Sequence, residues 1–93
     1  MDPIDIRHHE GQRFEAVFPE GRAVLDYQLA GGRLVIVHTG VPPELRGRGL
    51  AGQLVRAAFE HARAAGLRVE PRCSYAAEWS ERHPEFADLL ATG

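Results

Sequence analysis

The chain contains no lysine; all eleven of its basic residues are arginine. It therefore has no side-chain ε-amine. Cysteine occurs once, as Cys73, which excludes an internal disulfide and any zinc site built from several thiolates. The five histidines are His8, His9, His38, His61 and His83. They do not fall at metal-ligand spacing with Cys73 or with one another, so no metal is expected. Long apolar runs are also missing. The longest, Leu34 to Val37, is far too short to cross a bilayer. The start, Met1-Asp2-Pro3-Ile4-Asp5, is acidic and lacks the apolar stretch of a signal peptide. A cytoplasmic protein without a membrane partner is expected. Strong charge of one sign is absent too. Eleven basic against thirteen acidic residues leave a net charge of -2, which does not favour nucleic acid. The 93 residues suggest one domain, 1–93, with one modest core.

What is present is orderly. Gln12 to Phe18 alternates, with Phe14, Ala16 and Phe18 on one side, and predicts a strand. Pro19-Glu20-Gly21 is a turn signal. Arg22 to Ala30 alternates again, with Ala23, Leu25, Tyr27 and Leu29 facing one way. Gly31-Gly32 fits a two-residue hairpin turn. Arg33 to Thr39 follows, apolar on both faces over Leu34–Val37, and should be central in its sheet. The prolines of Val41-Pro42-Pro43 demand a loop. From Gly49 to Ala65 the period becomes helical: Ala51, Leu54, Val55, Ala58, Ala62 and Ala65 form one stripe. Gln53, Arg56, Glu60 and Arg63 form a solvent-facing side. Gly66 is placed to end the helix. Leu67 to Arg72 reads as a short strand, and Ser74 as a cap for a helix from Tyr75 to about Arg82. His83-Pro84 breaks that helix, and Glu85 to Leu90 forms one more turn. His8-His9 reads as an exposed loop pair, His61 as a solvated helix flank, and His83 as a cap for local backbone. The fold expected is α/β (α+β): three antiparallel strands, a crossover helix, a parallel strand and a C-terminal helix.

The stretch Arg46-Gly47-Arg48-Gly49-Leu50-Ala51-Gly52 carries the most chemistry. Its glycines let backbone N–H groups approach a ligand closely. The helix N-terminus behind them offers unpaired donors and the positive end of a dipole. Two arginines add full charge. Such a stretch is suited to phosphate or pyrophosphate. A plain turn has no need of the arginines. A dinucleotide fingerprint is matched literally by Gly47-x-Gly49-x-x-Gly52, with Glu70 about twenty residues on, where a ribose-binding carboxylate belongs. The context argues against that reading. Gly40 to Leu45 separates strand from glycines, and the chain has room for only one parallel crossover.

A third reading fits better. Arg46-x-x-Gly49-x-Ala51 resembles the Q/R-x-x-G-x-G/A signature of the GNAT superfamily of N-acetyltransferases. His38-Thr39-x-Val41-Pro42, Val69-x-Pro71-x-Cys73 and Arg82-His83-Pro84-Glu85 extend the likeness to the small YjdJ-type N-acetyltransferase family. The resemblance implies a minimal GNAT-like fold: an antiparallel meander, then a strand–helix–strand crossover and a C-terminal helix. It implies that Arg46, Gly47, Arg48, Gly49, Leu50, Ala51 and Gly52 bind the pyrophosphate of acetyl-coenzyme A. It also implies that the pantetheine arm runs beside Val37, His38 and Thr39, where two strands splay apart.

Acetyl transfer to an amine needs a neutral amine, a polarised carbonyl and a stabilised thiolate. Cys73 ends a strand just before a helix N-terminus, with Arg72 adjacent, and both features lower a thiol pKa. It is a candidate nucleophile or general acid, and equally a small buried hydrophobe. The resemblance places a cysteine near the acetyl end of the cofactor, although here Ser74 follows where the family often has proline. His38 is the candidate base, pointing by alternation to the same side as Leu34 and Ile36; a hydrogen-bonded histidine at a sheet end is the plainer reading. Tyr75 is a further acid candidate, against core packing on Trp79. The expected activity is N-acetyl transfer from acetyl-coenzyme A to a small-molecule or protein amine. The alternatives are a non-catalytic module that binds or senses coenzyme A or acyl-coenzyme A, and an interaction domain with a vestigial glycine loop.

Overall fold

The structure, a computed structural model, describes residues 5–91. Of the acidic start, Met1 to Ile4 lie outside that range. Four strands form an antiparallel meander: β1 (Ile6–His9), β2 (Arg13–Phe18), β3 (Gly21–Ala30) and β4 (Arg33–Gly40). A 3-10 turn (Pro43–Leu45) leads to helix α1 (Leu50–Ala65), which crosses to β5 (Arg68–Pro71). Helix α2 (Ser74–Glu81) and a 3-10 segment (Pro84–Leu89) follow. The sheet order is β1-β2-β3-β4-β5, with β5 parallel to β4. No described helix is long and apolar enough to cross a membrane.

Local chemistry accounts for these boundaries. Gly31 and Gly32 have φ of 57° and 78°, the paired positive values that a two-residue hairpin needs. Gly66 ends α1 with φ 72°, its N–H bonded to the carbonyls of Ala62 and Arg63. The residue capping α2 is Cys73 rather than Ser74, and no side-chain cap bond forms.

Both helices pack on one face of the sheet. That face carries Phe14, Leu25, Tyr27, Leu34, Ile36 and Val69, which join Leu54, Val55, Ala58, Phe59 and Ala62 of α1 in the core. Phe59 falls outside the expected apolar stripe, yet it is fully buried against Trp79 and Phe86, at ring-centroid distances of 5.5 and 5.4 Å. The solvent-facing side of α1 is also partly covered. Arg56 lies over the Trp79 and Phe86 rings. Arg63 donates to both carboxylate oxygens of Asp88 and to the Glu85 carbonyl. These arginines hold the C-terminal 3-10 segment down, which the helical period alone does not reveal. β4 is flanked on both edges as expected, but no helix covers its outer face, where Val37 is 39% exposed.

The meander has four strands, not three. His8-His9 is not a loop pair: both residues belong to β1, which pairs with β2 from Ile6↔Ala16 to His9↔Arg13. Only Ile6 in β1 is apolar, so alternation gives no signal there. Aromatic contacts and hydrogen bonds take its place. The His8 ring stacks on Phe14 at 4.1 Å, and its Nε2 lies 2.6 Å from the Tyr27 hydroxyl. That hydroxyl also accepts the Gly11 N–H at 2.7 Å. His61, read as solvated, meets His8 edge-on at 4.4 Å. His83 does cap local backbone, with its Nδ1 2.7 Å from the Trp79 carbonyl.

Desolvation, and then the neighbouring His61, lowers the pKa of His8 below its usual 6.5. The folded state thus favours the neutral ring. Its contribution is complete above pH about 6.5 and is lost as the pH falls below that value. We expect the melting temperature to fall between pH 7 and pH 5, and His8→Gln to flatten that dependence. A wild-type melting temperature that stays level across this range would contradict the assignment.

Candidate functional site

Strands β4 and β5 run together only from Arg33↔Arg68 to Ile36↔Pro71. There the Ile36 carbonyl accepts the N–H groups of both Arg72 and Cys73, at 3.0 and 3.2 Å. Beyond that point β5 turns away into α2, and Val37 to Gly40 keep only β3 as a neighbour. The expected splaying of two strands is therefore present, beside Val37, His38 and Thr39.

A β-bulge sits at the same place. Ile36 pairs with Tyr27 and His38 with Asp26, leaving Val37 as the extra residue. Beyond it the alternation is reset. Thr39 pairs with the buried Leu25 and faces the helices, whereas His38 pairs with Asp26 on the outer face. The expectation that His38 shares a side with Leu34 and Ile36 is thus corrected. A bulge flips every later side chain, and nothing in the local sequence announces it.

The glycine stretch starts from a buried anchor, Leu45. Gly47 and Gly49 have φ of 83° and 72°, and a Cβ at either would meet nothing within 4 Å. Glycine is needed there for backbone conformation, not for room. Gly49 is the N-cap of α1, and the first bond of the helix runs from the Gln53 N–H to the Gly49 carbonyl at 3.2 Å. The N–H groups of Leu50, Ala51 and Gly52 come before it and have no carbonyl within the helix. No acidic side chain stands in that first turn. Arg46, Gly47, Gly49, Leu50 and Ala51 border a cleft of about 220 Å³ together with Val41, Leu45 and Tyr75. Arg46 is exposed, and among the described residues its guanidinium makes one hydrogen bond, from Nε to the Val41 carbonyl at 3.3 Å. Arg48 is drawn aside to Glu20, at 3.2 Å. Gly52 has a second role: a Cβ there would stand 3.3 Å from the Tyr75 hydroxyl and 3.4 Å from Trp79 Nε1. It lets α1 and α2 approach closely.

Cys73 lies across the strand gap from Thr39, with Sγ 3.5 Å from Oγ1. Burial pushes the thiol pKa up. The Thr39 hydroxyl and the N–H groups of Ala76, Tyr75 and Thr39 outweigh it, so the pKa lies below the usual value of 9.0. Arg72, expected to assist, is bonded to Glu70 instead. The groups that favour the thiolate thus come from a neighbouring strand and from the start of α2. Tyr75 lines the loop cleft, with its hydroxyl towards α1. Among the described residues no group of three or more His, Cys, Asp or Glu side chains is placed to hold a metal.

A larger cleft of about 520 Å³ opens on the outer face. His38 and Gly40 line it with Arg13, Arg22 and Asp26. Alternation already sets these three polar residues opposite the core face. Their convergence with His38 depends on the bulge.

With that geometry in hand, likeness to known proteins is informative. The family model of the GCN5-related N-acetyl-transferases matches residues 13–89. The chain belongs to this family. In the NMR solution structure of a GCN5-like protein from Staphylococcus aureus, the likeness covers 100% of this chain and 93% of that one, with a TM-score of 0.77 and 29% identity. Protein NATD1 of Bos taurus is 36% identical over 86 residues, covering 88% of this chain and 76% of that protein. Protein NATD1 of Gallus gallus is 35% identical over 86 residues, covering 88% and 78%. The minimal GNAT-like fold expected from the sequence is thereby established, and acetyl transfer is the chemistry for which that family is named.

We expect the Cys73 thiol to alkylate with iodoacetamide at a pH below that of a free cysteine. Thr39→Val should move the midpoint of the rate–pH profile upward, because it deletes the hydroxyl that favours the thiolate. An unchanged midpoint would remove Thr39 from the activation of the thiol.

Proposed function

We propose that residues 1–93 act as one acetyl-coenzyme A-dependent N-acetyltransferase domain. The observation that carries this reading is the open N-terminus of α1, set behind two positive-φ glycines and beside the gap between β4 and β5. Three unpaired N–H groups, a helix dipole and the exposed Arg46 suit a pyrophosphate. The residues present fit the co-substrate on a further count: the first turn of α1 holds no carboxylate that would repel an anion. Arg46, Gly47, Gly49, Leu50 and Ala51 would hold the phosphates, with Gly52 contributing its N–H. Arg48 would join them on leaving Glu20. Val37, His38 and Thr39 would flank the pantetheine arm with their unpaired strand edge. Acetyl-coenzyme A supplies an activated acetyl group as a thioester.

The chain's own groups divide the remaining work. The Cys73 thiol stands across the gap from Thr39, as acyl carrier or as acid toward the departing thiolate. His38, on the outer face, is positioned to take a proton from an approaching amine. Thr39 is a positioning residue, acting through the thiol. The two candidate catalytic side chains thus approach the gap from opposite faces of the sheet.

Labelled acetyl-coenzyme A followed by intact mass, with Cys73→Ala as control, tests the reading. The absence of lysine removes the usual sites of stray acetylation. Label on Cys73 that passes to an added amine marks an acyl carrier; turnover without label that is slowed in Cys73→Ala marks an acid, and turnover that Cys73→Ala leaves unchanged gives the thiol a structural role. Binding with no loss of thioester across a broad amine panel favours the non-catalytic coenzyme A module instead. Arg46→Ala should weaken binding by about tenfold, the worth of a charge-assisted hydrogen bond. Unaltered binding would displace the phosphates from this loop.

A further inference from the structure

Apart from His38, which also borders the strand gap, the outer-face cleft is lined by residues given no part in holding the donor. We propose that it is the acceptor site, and that the acceptor is a small amine bearing a carboxylate, of the α-amino acid class. This rests on the function proposed above. The placement comes first. His38 and Gly40, in the stretch of β4 that β5 has left, line the cleft. Val41 borders both this cleft and the glycine-loop cleft, so the two share a wall.

The charges point to the ligand. Arg22 is 59% exposed, and among the described residues its guanidinium makes one hydrogen bond, to Glu15 Oε2 at 3.4 Å. Glu15 itself is buried behind it and held by His9 Nε2 at 2.7 Å. Arg13 Nε stands 3.4 Å from Asp26 Oδ1 and is buried, and among the described residues it has no hydrogen-bond partner. Two guanidiniums with donors to spare converge on one cleft, which suits a carboxylate. Asp26, a third exposed, is the lining anion and suits an ammonium group. A simple alkylamine would leave the spare donors of both guanidiniums unused. A polyamine would bring a second cation against them.

The same arrangement orders the chemistry. The ammonium group, held at Asp26, gives one proton to the His38 imidazole. The freed lone pair forms a C–N bond to the acetyl carbonyl carbon, and the C–S bond breaks with its electron pair on sulfur. The second amine proton passes to that thiolate, leaving an amide, a thiol and protonated His38.

The decisive experiment titrates the coenzyme A-saturated protein with α-amino acids, each beside the amine left by its decarboxylation. The readouts are ¹H–¹⁵N spectra and initial rates with acetyl-coenzyme A. We expect the amino acids alone to shift the amides around Arg22, Asp26 and His38. Arg22→Ala should raise their KM or Kd by about tenfold, with coenzyme A affinity unchanged. Arg82→Ala, at an exposed ion pair with Glu78 on α2, should change neither. Decarboxylated amines that bind as well as the amino acids would overturn the proposal. So would amino acids that shift none of these amides, or an Arg22→Ala variant that binds them normally. If coenzyme A itself fails to bind, the function proposed above falls. The titration of the free protein then decides the cleft separately.

Discussion

One carbonyl oxygen organises this molecule. The Ile36 C=O takes two successive N–H groups, those of Arg72 and Cys73, and with that bond the parallel pairing of β4 and β5 ends. Two consequences follow from this one point, and a bulge of the β3–β4 pairing lies beside it. The edge of β4 beyond it is left unpaired, which a folded chain tolerates only where something else can pair with it. Cys73 is brought opposite Thr39. The bulge at Val37 then turns His38 out to the far face. A continuous ladder would have closed the gap between β4 and β5.

The choice of arginine over lysine belongs to the same architecture. Arg63 spreads one planar guanidinium over two carboxylate oxygens and a carbonyl, close to the face of Phe86. Arg56 lies over two aromatic rings while paired with Glu85. A compact ammonium cannot do both at once. In a chain with a modest core, these residues fasten a C-terminal segment that helical packing alone would leave loose. Individually such exposed pairs contribute little, but here they act on one short segment together.

Much of this was legible in the residues. Alternation in β2 and β3 gave the correct core face, Gly31-Gly32 the hairpin and Gly66 the end of α1, because each reflects a local backbone requirement. The glycine loop was legible for the same reason: positive φ at Gly47 and Gly49 is written in the residue type. β1 was not, since its stability comes from an imidazole stacked on Phe14 and bonded near Tyr27, contacts between residues distant in sequence. Nor was the outward turn of His38, because a bulge belongs to the pairing of two strands and to neither strand alone. Arg72 looked like the partner of Cys73 by adjacency, yet Glu70, two residues away on the same strand, claims it.

The bond between Arg48 and Glu20 has a different kind of implication. It ties the glycine loop to the β2–β3 turn through a carboxylate. An incoming anion at Arg48 would not be captured from a bare cation; it would replace one counter-ion with another. Such an exchange releases a carboxylate to water as it binds a phosphate, so its net electrostatic gain is small and its dependence on ionic strength is blunted. The loop and the hairpin turn would then part as the ligand settles. A ligand at the N-terminus of α1 would in this way be felt at the far end of β2, by the loss of a tie and not by a push.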